Sequence, residues 1–432
     1  MTPFLLVYLS VYTLLHYYAF RKIRAAFLPG KKIRLGITLF MAAMIAAPIM
    51  VRMAERAGIE TGARFWAYAS FSWMGLLFLF LTLTGTVDLI RLAILAAEKI
   101  RQQKFTQARV SPRQLFAAQA IVVVALYGYG LFEATDIRQE HIEIISPKIT
   151  EKTGRIRIAQ ISDVHLGLLV RESRLKKILA EIRKAKPDIL VSTGDLVDGQ
   201  PSHLNREARL LAALNPPLGK IAITGNHEFY AGLQVASAFM ETSGFTLLRQ
   251  QGMAVGGINF VGVDDPVVKN FARKTSGAEH EILSAQAKEN FTVLLKHRPE
   301  INPYSSRLFD LQLSGHTHKG QIFPFNLFTW FFYPQRAGQL TSLNVADHGK
   351  TPQRSNNHGT SGHMVPQLAA SGTAMRTFVR DPDRSPRDVV PCDRLPLNSG
   401  FLYLSRGTGT WGPPIRFLAP PEVTIIDLLH GE

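Results

Sequence analysis

The 432-residue sequence has a single cysteine, Cys392, and fewer acidic than basic side chains. One cysteine cannot form a disulfide within the chain, so cysteine usage does not indicate the redox compartment. The sequence also lacks a basic segment before its first apolar run and a small-residue cleavage site after it, which argues against a cleaved signal peptide. We therefore expect the first apolar run to be retained in the mature chain.

Charged side chains are missing from four apolar runs, at residues 2–20, 35–51, 65–87 and 115–132. A helix that spans a membrane needs about 20 apolar residues, with a lower limit of about 17. The first and third runs fit this length well, whereas each of the two shorter runs is also compatible with a buried core helix. Their spacing favours four spans, which predicts a multi-pass membrane protein.

The net charge of +16 is concentrated beside these runs. Residues 21–34 contain six basic and no acidic side chains, and residues 88–114 contain six basic and two acidic ones, whereas residues 52–64 contain only three basic ones. This placement indicates basic loops beside the membrane, so we expect the lipid bilayer and not nucleic acid as a partner. Since short cytoplasmic loops carry the excess of Lys and Arg, the part of the chain after the fourth run is predicted to lie outside, in the periplasm or the exterior.

Polar clusters follow five short apolar runs in the second part of the sequence: Asp163-x-His165, Gly194-Asp195-x-x-Asp198, Gly225-Asn226-His227-Glu228, His297 and Gly315-His316-x-His318. Runs of this kind predict buried strands, so these side chains lie where strands end in loops. Carboxylate, imidazole and amide donors without thiolates suit Mn, Fe or Zn. Seven or eight donors are too many for one ion, which predicts two ions about 3.5 to 4 Å apart with one shared carboxylate.

The five clusters, in this order, resemble the motifs of the calcineurin-like metallophosphoesterases, and more narrowly those of their membrane-associated bacterial branch. The resemblance covers roughly residues 150–340 and 400–428. It implies an α/β domain of two packed mixed β-sheets flanked by helices, with phosphoester hydrolysis as its activity. The expected fold is therefore an N-terminal all-α transmembrane bundle of about four helices followed by this α/β domain.

The resemblance also implies roles for individual residues. Seven side chains would bind two divalent ions with Asp195 as the bridge: Asp163, His165, Asp195 and His318 for one ion, and Asp195, Asn226, His297 and His316 for the other. His227 would act as the general acid on the leaving oxygen, and Asp198 would orient it. A C-terminal loop similar to the family's contains Arg406 and Arg416, which would approach the phosphate.

These patterns set the domain boundaries. We expect a transmembrane region over residues 1–132, a linker over 133–154 and the phosphoesterase domain over 155–432. Within that domain, residues 343–399 are polar and rich in Gly, Pro, Ser and Arg, which predicts a disordered insertion with solvated histidines. The aromatic residues of 322–333 have two interpretations, which are core packing and an aromatic rim in contact with lipid.

Three classes of function remain open at this stage. The first is a membrane-anchored phosphoesterase that acts on a phosphorylated lipid or envelope precursor. The second is a catalytically silent membrane protein, interacting or regulatory, that kept the fold, against which the complete ligand set argues. The third is a transporter or sensor, against which the absence of Asp, Glu, Lys and Arg from the apolar runs argues, because ionisable groups within spans usually mark a transport pathway.

Overall fold

The computed structural model describes residues 2–105, 110–199, 203–270, 278–343 and 400–431. Apart from Leu343, the predicted insertion at 343–399 lies outside the described residues. Within the described part, the chain forms an N-terminal helical bundle and an α/β domain that contains two six-stranded mixed sheets. The predicted fold class is confirmed.

Four helices form the bundle, and each contains one of the four apolar runs: α1 (Thr2–Phe27), α2 (Lys31–Arg56), α3 (Glu60–Arg101) and α4 (Pro112–Glu133). The start of α4 has a reciprocal cap, in which the Gln114 N–H donates to the Ser111 hydroxyl and the Ser111 N–H donates to the Gln114 side chain. This cap satisfies two backbone donors that the helix leaves open. By length and composition, α2, α3 and α4 could each cross a membrane. Helix α1, the predicted first span, is not among these three.

The described residues of the two basic segments, 21–34, 88–105 and 110–114, lie at the end of the bundle that is remote from the α/β domain. At that end, the ring of Phe27 in α1 contacts the ring of Phe116 in α4, with 5.1 Å between centroids. At the opposite end, Glu60 accepts a hydrogen bond from Arg171 at 2.7 Å, and Glu133 accepts one from the Ala419 N–H at 2.8 Å. The bundle therefore separates the basic segments from the α/β domain.

Small residues of the bundle allow a loop of the α/β domain to pack closely. An added Cβ at Gly75 in α3 would lie 3.3 Å from the side chains of Ile415 and Pro413. An added Cβ at Gly130 in α4 would lie 3.1 Å from the side chain of Ile415 and from the Arg416 carbonyl oxygen. The loop that contains these residues is thereby held directly against α3 and α4.

The first sheet has the strand order β1-β12-β2-β3-β4-β5. Its strands are β1 (Arg138–Ser146), β2 (Arg155–Ile161), β3 (Ile189–Ser192), β4 (Lys220–Ala222), β5 (Thr246–Leu247) and β12 (Glu422–His430). Strands β2, β3 and β4 run parallel, so their carboxyl ends lie at one edge. Apolar side chains of α5 (Glu172–Ala185), α6 (Asn205–Ala212) and α8 (Leu233–Thr242) cover the outer face of this sheet.

The second sheet has the strand order β10-β11-β9-β8-β7-β6. Its strands are β6 (Gln251–Val255), β7 (Ile258–Gly262), β8 (Phe291–Leu295), β9 (Leu311–Ser314), β10 (Leu340–Ser342) and β11 (Phe401–Leu404). The described helices of this half are the short helix α7 (Asn226–Ala231), α9 (Ala278–Ser284) and α10 (Phe325–Phe332). Buried side chains from both sheets, such as Ile158, Val191, Phe260 and Val293, form one core between the sheets.

The predicted linker at 133–154 is wrong in its central part. Strand β1 (Arg138–Ser146) lies within it and pairs in parallel with β12, with Arg138 opposite Glu422. The sequence separation explains the error, because the partner strand lies almost 300 residues further along the chain. The first sheet is therefore completed by a segment that lies between the bundle and β2.

The structure contradicts the core-packing interpretation of residues 322–333. Helix α10 has no buried residue, and the side chains of Leu327, Phe328, Trp330 and Phe331 are all exposed. A run of aromatic residues without charges fits a core or an apolar solvent equally well by composition. Only the position of the helix in the fold distinguishes the two.

Candidate metal centre and active site

The candidate site lies where parallel strands of both sheets end. Asp163, Asp195 and Asn226 follow β2, β3 and β4, while His297 and His316 follow β8 and β9, which are also parallel. Because the sheets pack face to face, these two sets of strand ends meet. The structure thus brings six of the seven predicted ligands into groups of closely spaced donor atoms. The seventh, Asn226, precedes His227, whose backbone N–H donates to Asp195.

The backbone at this site adopts an unusual conformation. Five of the predicted ligands have a positive φ: Asp163 at 52°, His165 at 54°, Asp195 at 52°, His316 at 76° and His318 at 49°. Left-handed backbone at residues other than glycine costs about 1 kcal/mol or more per residue. Such strain persists where the surrounding structure fixes it, and it is concentrated at functional sites.

The first group of donors consists of Asp163, His165 and His318, whose donor atoms lie within 4.8 Å of one another. The Nε2 atoms of His165 and His318 are 3.0 Å apart, and His318 Nε2 is 3.4 Å from Asp163 Oδ1. All three side chains are buried. Burial lowers the pKa of His165 to about 3, so its ring is neutral and offers a lone pair.

The second group consists of Asp195, His297 and His316. His297 Nε2 is 3.1 Å from Asp195 Oδ2 and 3.2 Å from His316 Nδ1. The Nδ1 of His297 hydrogen-bonds the Thr193 carbonyl oxygen at 2.8 Å, which directs Nε2 into the site. Burial lowers the pKa of His297, but the Asp195 carboxylate outweighs this and raises the pKa to about 10, which shows how strongly the site attracts a positive charge.

Asp195 connects the two groups. Its Oδ2 atom lies 3.1 Å from His297 Nε2 and 3.8 Å from His165 Nε2. Its Oδ1 atom accepts a hydrogen bond of 2.8 Å from the His227 backbone N–H, which fixes the orientation of the carboxylate. This geometry suits a carboxylate shared between two ions.

The donor set fits divalent cations on a further observation. The side-chain oxygen of Asn226 is buried and has no hydrogen-bond partner, which is costly for an amide unless a ligand satisfies it. Burial also lowers the pKa of His316 to about 4, which leaves its ring neutral. Neutral imidazoles, carboxylates and one amide oxygen form a hard to borderline set of ligands. The residues present therefore fit the metals that the sequence predicts.

His227 lies at the edge of this centre. Its Nδ1 is 3.0 Å from Asp198 Oδ1, and its ring packs edge-on against His165 with 4.6 Å between centroids. Burial lowers the pKa of His227, but the charge of Asp195 and the hydrogen bond with Asp198 outweigh it and raise the pKa to about 9. Its donor atom also falls within one group with those of His165 and Asp195, so proximity alone does not distinguish a proton donor from a ligand.

Sequence reasoning assigned no role to Glu228, although the residue belongs to the third cluster. Its fully buried carboxylate accepts four backbone hydrogen bonds: from Gly225 at 2.7 Å, Leu196 at 2.8 Å, Asp195 at 3.0 Å and Val197 at 3.2 Å. Each of these backbone N–H groups would otherwise be buried without a hydrogen-bond partner, which would destabilise the fold by about 1 to 3 kcal/mol. Glu228 thus ties the loop after β3 to the loop after β4. The available signal was the acidic residue directly after Asn226 and His227.

The predicted phosphate contacts of Arg406 and Arg416 differ from the contacts in the structure. The buried Arg406 forms ion pairs with Glu140 of β1 and with Glu422, the latter at 2.6 Å. Arg416, which is fully buried, donates to the carbonyl oxygens of Arg406, Gly409 and Ala419, each at 2.8 Å. Its Nη2 also lies 3.3 Å from His318 Nδ1. Both guanidinium groups therefore hold the C-terminal loop in shape.

Aromatic rings surround the entrance to the centre. The His227 ring has Tyr230 and Trp411 at centroid distances of 5.5 and 5.6 Å, and both of these side chains are about half exposed. On the other side, Tyr333 contacts His316 with 5.5 Å between centroids. The rings leave an entrance with apolar walls and a polar floor.

Comparison with known proteins gives the family. Residues 156–320 match the family described as calcineurin-like phosphoesterase. An uncharacterized metallophosphoesterase of Aquifex aeolicus (strain VF5) is 32% identical over 308 residues, which make up 71% of this chain and 97% of that protein. The chain belongs to the calcineurin-like metallophosphoesterases. The buried Asp and His groups of this metallophosphoesterase can hold divalent metals, which are typical of the family.

Other similar proteins match over comparable lengths. An uncharacterized metallophosphoesterase of Helicobacter pylori (strain ATCC 700392 / 26695) is 28% identical, over 71% of this chain and 69% of that protein. A Danio rerio protein named transmembrane protein with metallophosphoesterase domain is also 28% identical, over 74% of this chain and 75% of that protein. Among solved structures, a putative 5'-nucleotidase from Staphylococcus aureus is 17% identical with a TM-score of 0.28, covering 38% of this chain and 45% of that one.

Proposed function

We propose that the protein is a membrane-anchored phosphoester hydrolase that uses two divalent ions, with Mn, Fe or Zn as the candidates. The observation that carries the proposal is the position of Asp195 Oδ2 between two groups of ligands, 3.1 Å from His297 and 3.8 Å from His165. His227 and its partner Asp198 stand directly beside them. A shared carboxylate next to a proton donor is the arrangement that phosphoester hydrolysis requires.

The proposed reaction is the attack of water on phosphorus. When bound, the cations supply Lewis-acid activation of water and neutralise charge on the phosphoryl oxygens. As the water oxygen forms its bond to phosphorus, the bond from phosphorus to the leaving oxygen breaks. His227 Nε2 donates a proton to that leaving oxygen, because Nδ1 is engaged with Asp198. Asp198 thereby positions the ring and stabilises its charged form.

Metal removal tests this proposal. We expect the detergent-solubilised full chain to lose hydrolysis of aryl phosphates after chelation and to regain it with added Mn, Fe or Zn, because the proposed activation of water depends on the bound cations. The measurement is the hydrolysis rate against a panel of aryl phosphates, nucleotide-linked lipids and phospholipids, before and after chelation. A chain with two bound ions and no turnover on any of these would instead support the catalytically silent alternative.

We further propose a substrate that is a phosphorylated lipid or envelope precursor in a bacterial inner membrane, and not nucleic acid. Three helices that could cross a membrane support anchoring, and a relative is named a transmembrane protein. The ends of α3 and α4 that contact Arg171 and Ala419 place the α/β domain directly against the bundle. A site held in this way lies within reach of the bilayer surface.

The α/β domain is expected to face the periplasm. Two segments with six basic side chains each lie at the other end of the bundle, and such segments are retained in the cytoplasm. A reporter phosphatase that is active only after export should therefore be active when fused after residue 432. The same reporter inserted after Phe105, at the basic end, should be inactive. The reverse pattern would place the domain in the cytoplasm and contradict the proposal.

A further inference from the structure

The helix α10 exposes an apolar surface that is unusual for a water-soluble domain. It contains no charged residue, and Phe331 has 78% of its side chain exposed, with Leu327, Phe328 and Trp330 exposed beside it. A contiguous apolar surface of this kind marks contact with a membrane or a partner. Trp and aromatic side chains are also enriched where proteins meet the membrane interface.

The neighbour of α10 is the apolar part of α3. The rings of Phe325 and Phe78 pack edge to face, with 6.3 Å between centroids and an angle of 79°. Phe78 and Thr82 lie three and seven residues beyond Gly75, where the C-terminal loop meets α3. At a rise of 1.5 Å per residue, α10 contacts α3 about 5 to 10 Å further towards the basic end.

An open groove separates the two helices. It has a volume of about 490 Å³ and is lined by Phe78 and Thr82 from α3 and by Phe325, Leu327, Phe328 and Phe331 from α10. No lining residue carries a charge. Ligand sites are typically apolar cavities of about 300 to 1,000 Å³. The groove is therefore large enough for a flexible hydrocarbon chain.

Both ends of α10 are connected to the metal centre. The helix begins seven residues after His318, and Tyr333, the residue that follows its last turn, packs edge-on against His316 at 5.5 Å between centroids. The eight residues of α10 extend about 12 Å, from the groove beside Phe325 to Tyr333, which contacts the candidate ligand His316. The helix that forms one wall of the groove therefore ends beside the candidate metal centre.

We infer that the groove between α3 and α10 binds a hydrocarbon chain of a membrane lipid, and that the phosphoester carried by that lipid is the substrate. The inference rests on the proposed hydrolysis of a lipid phosphoester and assigns the place where the lipid chain binds. Three observations support a lipid chain as the occupant: an uncharged lining, a wall formed by a helix that could cross a membrane, and the exposed aromatic surface of α10 beside it. The α10 surface holds the chain while the phosphate reaches the centre.

A chain-length series tests this inference. The full-length protein in detergent, loaded with Mn, is assayed on p-nitrophenyl phosphodiesters whose second alcohol has four, eight or twelve carbons. We expect kcat/KM to rise with chain length, by up to about fourfold for each methylene that the groove buries. In Thr82→Trp, which fills the groove, the ratio of kcat/KM for the longest to the shortest chain should fall towards one. Leu92→Trp, at an exposed position about 15 Å further along α3, should retain the wild-type ratio.

A binding measurement separates the two proposals. A phospholipid with a diazirine on its acyl chain is photolysed with the protein in nanodiscs, and the labelled peptides are mapped by mass spectrometry. We expect labels on residues 325–332, reduced in Thr82→Trp but not in Leu92→Trp. Labelling together with inactivity on every phosphoester would refute the proposed hydrolysis and retain the lipid groove. Hydrolysis without chain-length dependence, or equal labelling of both variants, would contradict lipid binding in the groove but would not contradict the proposed hydrolysis. A crosslinked dimer in which a second copy covers α10 and excludes the label would also contradict lipid binding in the groove.

Discussion

Replacing Asp195 by asparagine is expected to abolish phosphoester hydrolysis and to deplete both metal ions. Asp195 Oδ2 is the one oxygen that approaches both ligand groups, so its loss affects two sites at once. The amide nitrogen in its place cannot bind a cation and would instead donate to the facing histidines. Lewis-acid activation stabilises the transition state by several kcal/mol, and each 1.4 kcal/mol changes the rate by a factor of about ten. We therefore expect kcat/KM to fall by about 10³-fold or more.

The measurement for Asp195→Asn is metal content by mass spectrometry beside kcat/KM on an aryl phosphate. We expect the metal content to fall from about two ions per chain towards zero. The matched control is Asp136→Asn, an exposed carboxylate that pairs with Arg138 outside the site and should keep both metals and turnover. Loss of one ion only would show that Asp195 is not a bridge. Full occupancy with normal turnover would refute the assignment of two ions.

The proximity of the candidate metal ligands could be predicted because they follow strands. The apolar runs before Asp163, Asp195 and His316 were recognisable as buried strands, and parallel strands end at a common edge. The local pattern of apolar runs therefore predicted that the candidate ligands lie close together, although the partner strands were unknown. The fold class followed in the same way from alternating strands and helices.

Long-range pairing was not accessible by the same reasoning. Strand β1 begins with four polar residues, shows no regular alternation and has its partner β12 at the other end of the chain, so nothing near it in sequence indicates this pairing. The roles of the arginines depend on this pairing, because Glu140 of β1 is a partner of Arg406. With its charge neutralised inside the fold, Arg406 is bound by the protein itself and not by a phosphate.

The position of α10 could not be predicted from the sequence either. A helix rich in Phe, Trp and Leu fits a protein core and a lipid environment equally well, so its composition does not distinguish between these two locations. The decisive contact is that of Phe325 with Phe78, which joins α10 to a helix that could cross a membrane. That contact links residues almost 250 positions apart, which a local pattern does not predict.

Replacing His227 by glutamine is expected to leave the metals bound and to slow turnover by about 10² to 10⁴, the range that acid–base catalysis supplies. Glutamine can still hydrogen-bond Asp198, but it cannot deliver a proton to the leaving oxygen. The loss should be greater for an alkyl ester than for a p-nitrophenyl ester, because the alkoxide is the more basic leaving group and depends more on protonation. KM should change little, since the ring does not bind the phosphoryl group in this assignment.

The measurements for His227→Gln are kcat on alkyl and aryl esters and the metal content of the same preparations. His280→Gln, an exposed histidine on α9 that hydrogen-bonds the Tyr304 carbonyl oxygen, is the control and should match the wild type in all of them. Because the donor atom of His227 also lies close to those of His165 and Asp195, a ligand role is the specific rival. A variant that loses its metals, with equal losses on both esters, would make His227 a ligand. Retained metals with a larger loss of kcat on the alkyl ester would establish His227 as the proton donor. His227 would then differ in role from the four histidines that are candidate metal ligands.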